Sequence, residues 1–139
     1  MKNFKCLLLA VPLFFMGCST NNTAYFRSSA AILTNIALNE AVSEEDRVEK
    51  AKIILHVAVL IETLTEADQV SVEELATSLN NLLPQKEHWD EFIASIILIY
   101  ADYLGQVDQL PENEKLTAMK AGLNKIAEGC RLAAQRYVE

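Results

Sequence analysis

Apolar residues recur at helical spacing along most of this chain, and no run shows the sustained alternation of a strand. The last segment is the clearest: Leu116, Met119, Leu123, Ile126, Cys130, Ala133 and Tyr137 follow a three-four spacing, with Lys115, Lys120, Lys125, Glu128 and Arg131 between them. One amphipathic helix over about 112–137 is predicted, with Pro111 near its first turn, where a missing N–H does no harm. Upstream, Trp89, Phe92, Ile93, Ile96, Tyr100 and Tyr103 share one face of a second stripe, and Glu87, Glu91, Ser95 and Asp102 lie roughly opposite. Gly105 follows the last periodic residue and reads as a C-terminal cap, so this helix is expected over about 85–104. Leu98 falls on the otherwise polar side and is the best single candidate for an exposed apolar contact.

Two further helix starts are marked by Ser43 followed by Asp46 and by Ser71 followed by Glu74, each pairing a hydroxyl with an acid three residues on. Between them, residues 53–61 are apolar except for His56, and Glu49, Lys52, His56 and Thr63 line up as a narrow polar strip. After Ser71, Val72, Leu75, Leu79 and Leu82 mark a short helix that Pro84 stops, because proline disfavours helical geometry in the residue before it. Phe26, Ala30, Leu33, Ile36 and Ala37 suggest a first helix over about 24–41. Five amphipathic helices joined by short loops predict an all-α fold, a compact antiparallel bundle occupying residues 24–139, with the second and fourth helices the most enclosed.

The N-terminal segment breaks this pattern. Lys2 and Lys5 precede an apolar run from Cys6 to Met16, too short for a membrane-spanning helix of about 20 residues but suited to an export signal. Phe15, Met16, Gly17 and Cys18 close it, and this run resembles the lipobox of bacterial lipoproteins. The resemblance implies a signal peptide over 1–17 removed before Cys18, lipid on the Cys18 sulfur and amino group, and a short tether over 18–23. Several acyl chains, at about 0.8 kcal/mol per buried CH₂, hold a protein to a bilayer far more firmly than one. Ser19 in place of Asp after the lipidated cysteine implies, in lipoproteins of the enterobacterial type, the periplasmic side of the outer membrane. Some five residues separate Cys18 from the first helix, a reach of at most about 18 Å, so the helical body is expected close to the leaflet.

Charge sharpens the reading. The formal charge falls from −7 to −9 once Lys2 and Lys5 leave with the signal, and no basic cluster offsets it, which argues against nucleic acid and against electrostatic membrane binding. With Cys6 removed and Cys18 modified, Cys130 has no partner within the chain; its place on the apolar stripe favours a buried thiol over an intermolecular disulfide.

Chemistry-bearing patterns are sparse. There is no Gly-rich phosphate loop, no G-x-S-x-G and no H-E-x-x-H. His56 stands on a polar strip beside Lys52, which opposes a metal, and His88 with Glu91 forms a helical pair that no third ligand completes. Asp102 reads as a solvent-facing acid, and the letters Asn21, Asn22 and Thr23 read as polar tether. No cofactor, metal or catalytic residue is expected.

These observations lead to a non-catalytic, membrane-anchored module that binds another envelope protein, with Cys18 as the lipidation site and Leu98 as a partner contact. The alternatives are a lipid or small-molecule carrier and a pilotin-like assembly lipoprotein, the latter lacking the expected cysteine pair. In its Cys18-Ser-Thr start, the opening of its second helix over 47–51 and the Leu83-Pro84 break, the chain is similar to small helical lipoproteins of phages and prophages. That likeness implies superinfection exclusion or a lysis accessory role.

Overall fold

A computed structural model describes residues 24–83 and 89–139. It contains five helices and no strand among the described residues: α1 (Ala24–Asn39), α2 (Glu44–Glu66), α3 (Val72–Leu82), α4 (Trp89–Val107) and α5 (Glu112–Gln135). They pack as a compact all-α bundle.

Local chemistry sets most of the helix ends. The Ser71 hydroxyl accepts from the Glu74 N–H at 3.0 Å and the Glu74 carboxylate accepts from the Ser71 N–H at 3.0 Å, a complete capping box. At α2 the Ser43 hydroxyl accepts from Asp46 N–H at 3.1 Å, but the Asp46 carboxylate reaches past Ser43 to the Val42 N–H at 3.2 Å. The shorter Asp side chain thus caps the residue before the N-cap. The end of α2 turns through Asp68, whose φ of 59° is left-handed. The Gln69 N–H returns to the Leu64 carbonyl at 2.9 Å and the Asp68 N–H to Thr65 at 3.2 Å, the paired bonds of a Schellman turn.

Three boundaries differ from expectation. The first helix stops at Asn39 because the chain must turn to reach the Ser43 cap. Gly105 does not end α4, which continues to Val107 and buries that valine against the core. The last helix gives way after Gln135 to tight turns at Tyr137 and Val138.

The most connected helix is α5, not α2 or α4. It lies against α1 and α2 along most of its length and against α4 near its start. Arg27 sits beside Glu128 and Ala30 beside Gly129, so α1 and α5 run in the same direction, as first and fifth members of an up-and-down bundle do. Along α2 the partners fall as the numbers rise: Glu62 meets Arg131, Thr65 meets Asn124 and Asp68 meets Lys120, which makes α2 antiparallel to α5. Small residues allow this three-way packing. A Cβ on Gly129 would lie 2.1 Å from the Arg27 carbonyl oxygen, and one on Gly122 would lie 2.2 Å from the Tyr103 ring.

The core holds Ile54, Ile61, Leu75, Leu79, Ile96, Leu123 and Ile126 with no exposed surface, each contributing roughly 1.5–3 kcal/mol by leaving water. Trp89, Phe92, Ile93, Ile96, Tyr100 and Tyr103 are all buried, as their common face requires. Phe26 meets Tyr103 edge to face at 4.6 Å between ring centres. Leu116 departs from its stripe: it precedes the region where α1 and α2 cover α5 and remains 43% exposed.

Candidate functional site

The residues singled out by sequence do not converge. Cys18 and His88 lie outside the described residues. On α2, Glu49, Lys52, His56 and Thr63 are all exposed, which confirms the polar strip; Val59, also exposed, interrupts it. Asp102 is exposed at the C-terminal half of α4. Among the described residues, no group of three or more His, Cys, Asp or Glu side chains is placed to hold a metal ion. None of their helices is long and apolar enough to cross a membrane.

Cys130 is fully buried. Burial pushes its thiol up to about 11. The neighbouring Thr34 hydroxyl pulls the other way, but it meets no acceptor at hydrogen-bonding geometry and burial prevails. This thiol is packing, not a nucleophile. The two buried tyrosines serve as struts: the Tyr100 hydroxyl donates to the Val70 carbonyl and the Tyr103 hydroxyl to Ala118 at 2.7 Å. Burial raises both phenols above their ordinary value, and for Tyr100 the neighbouring Tyr103 and Glu74 add to it.

Ion pairs flank α5 on both sides. Glu128 receives Lys125 at 2.9 Å and Arg27 at 3.2 Å, and these hydrogen bonds hold its carboxyl below the ordinary range. Arg131 donates to both Glu62 oxygens at 2.6 Å, and Lys120 pairs with Asp68. At the far end of α1, Arg47 donates to the Leu38 carbonyl at 3.2 Å and stacks 5.8 Å from the centre of the Tyr137 ring. Apart from the Lys125–Glu128 pair, which lies within α5, these contacts join α5, α1 and α2 and the turns that follow them.

Every described helix keeps at least one large apolar side chain exposed, and the outer side of α4 has the most exposed of these. Leu98 is 56% exposed, the most exposed large apolar side chain on any described helix. Ala94, Ala101 and Gly105, spaced four, three and four around it, are exposed as well. Half-buried Ile97 and Leu104 flank this line on one side. Leu98 was legible as an exposed residue from the helical wheel; the companions were not, because alanine and glycine look the same in a core and on a surface until the neighbours are placed. The chain matches no family model, no curated protein and no solved structure.

Proposed function

We propose that the protein is a non-catalytic, lipid-anchored binding module of the bacterial envelope, held at the periplasmic side of the outer membrane through Cys18 and docking another envelope protein. The observation that carries the reading is the exposed apolar side of α4 centred on Leu98, taken together with the run ending at Cys18 that resembles a lipobox in the sequence. Each described helix leaves at least one large apolar side chain exposed; Leu98 is set apart as the most exposed of those on helices and by its line of exposed small residues, which would let a partner approach. The phage-like role, superinfection exclusion or lysis assistance, fits the same reading.

Two measurements test it. Radiolabelled palmitate is incorporated into the wild type and lost on Cys18→Ser. A pulldown from detergent-solubilised envelopes recovers a specific partner with the wild-type chain and less of it with Cys18→Ser. An unlabelled wild type removes the anchor, and recovery of no specific partner under several conditions removes the docking role.

A further inference from the structure

The outer side of α4 is bracketed by charge. The helix contains no Lys, Arg or His, and its acids Asp90, Glu91 and Asp102 are all exposed, with exposed Asp108 just beyond its end. None of the four has an ion-pair partner among the described residues, as holds for most of the described acids; Asp46, Glu62, Asp68 and Glu112 have one each and Glu128 has two. From Phe92 to Ala101 the sequence carries no charge at all. On a helical projection Asp90, Ala94, Leu98, Ala101, Gly105 and Asp108 form one strip, flanked by Glu91 and Asp102. The apolar positions repeat at four, three and four residues, the spacing of a coiled-coil seam, over about 17 Å from Ala94 to Gly105.

We propose that this seam is a docking site for one helix of another protein, a helix with an apolar stripe in its middle and Lys or Arg near both ends. Small residues on either side of Leu98 let a partner backbone approach closely, and the exposed carboxylates at both ends, without an ion-pair partner among the described residues, supply the complement for basic flanks. A second copy of this chain is a poor occupant: in either direction its α4 would set carboxylates against carboxylates. An anionic lipid surface meets the same repulsion. The contact between Phe26 and Tyr103 places the C-terminal end of α4 beside the start of α1, the end from which the chain leads back to Cys18. A helix lying along the seam therefore starts at the anchored end of the body. One helix on this strip buries less than the roughly 1,200 Å² of a stable free complex, so confinement of both partners to one membrane supplies the effective concentration that the contact lacks.

This inference rests on the docking role proposed above, and its test separates the two. A photo-crosslinking residue is placed at Leu98, Ala101 or, as a control, the exposed Leu132 of α5, in the full-length chain in cells. The expected result is one protein product from positions 98 and 101, whose crosslinked peptide has apolar residues at heptad spacing and basic residues near both ends. Combined charge reversal, Asp90→Lys with Glu91→Lys and Asp102→Lys, lowers that product at least about fivefold, because like charges then face each other. Products of twice the chain mass, lipid adducts, an acidic or non-helical crosslinked segment, or a yield indifferent to charge reversal overturn the seam. A specific protein product from Leu132 alone also overturns it while leaving the docking role standing; no protein product from any position sinks both. All the altered residues are exposed, and an unchanged helical circular dichroism spectrum verifies the fold.

Discussion

Gly129→Ala and Gly105→Ala make the same chemical change inside a helix and are expected to move stability in opposite directions. At Gly105 the new methyl meets nothing within 4 Å, so only the backbone gains, and the substitution stabilises by about 0.5–1 kcal/mol. At Gly129 the methyl lands 2.1 Å from the Arg27 carbonyl oxygen and 3.0 Å from the Ala30 Cβ. The obstacle is backbone, which cannot rotate away as a side chain can, so α1 and α5 must part by about 1 Å, a displacement that overpacking costs put at about 1–3 kcal/mol. Parting also loosens the dispersion contacts along the whole length over which α1 lies on α5, which favours the upper end. Subtracting the propensity gain of about 1 kcal/mol leaves a net loss of roughly 2 kcal/mol. Urea unfolding of residues 24–139, followed by circular dichroism at a helical band, reads both effects. With a slope of about 1.5 kcal/mol per M, the midpoint falls by about 1.3 M for Gly129→Ala and rises by roughly 0.5 M for Gly105→Ala. A Gly129→Ala midpoint equal to or above that of the wild type would refute the close approach of α1 and α5, and with it the account of why α5 is the hub.

Tyr100→Phe leaves the buried Val70 carbonyl without its donor and lowers stability by about 1–2 kcal/mol near neutral pH, read as a shift of the urea midpoint. Because the folded-state phenol is raised above its ordinary 10.0, wild-type stability falls as pH climbs past 10, where the unfolded chain releases the proton that the folded chain keeps; Tyr100→Phe flattens that decline. Cys130 reacts with Ellman's reagent only as fast as the chain unfolds, so its labelling rate tracks added urea; rapid labelling of the folded chain would contradict its burial. Glu128→Gln costs less than about 1 kcal/mol near neutrality, since the pairs are partly exposed and screened. Its carboxyl is depressed in the folded state, so the stabilisation is present above the unfolded value of about 4.5 and fades as pH falls through the lower folded value, where wild type and variant converge.

Local signals were the readable ones. Ser71 and Glu74 close their capping box with atoms three residues apart, and the Trp89-to-Tyr103 face follows from helix geometry alone. Gly105 misled because a glycine late in a helix is a stop signal only if the chain turns there; burial of Val107 instead carries α4 on for two residues. Leu116 misled because an apolar residue at the right spacing is buried only where another helix overlies it. Of the candidate site, the exposure of Leu98 could be read from the wheel. The seam could not, since it depends on which helices cover the other sides of α4.

What the amino-acid order determined by itself is the set of five helices and the face each must bury, because hydrogen bonds, caps and side-chain periodicity act within a few residues. Which helix became the hub, and which apolar strip stayed in water, was decided only by tertiary packing. The approach of Gly129 to Arg27 and the uncovered side of α4 both depend on residues far apart in the chain, and each described helix is left with at least one large apolar side chain exposed.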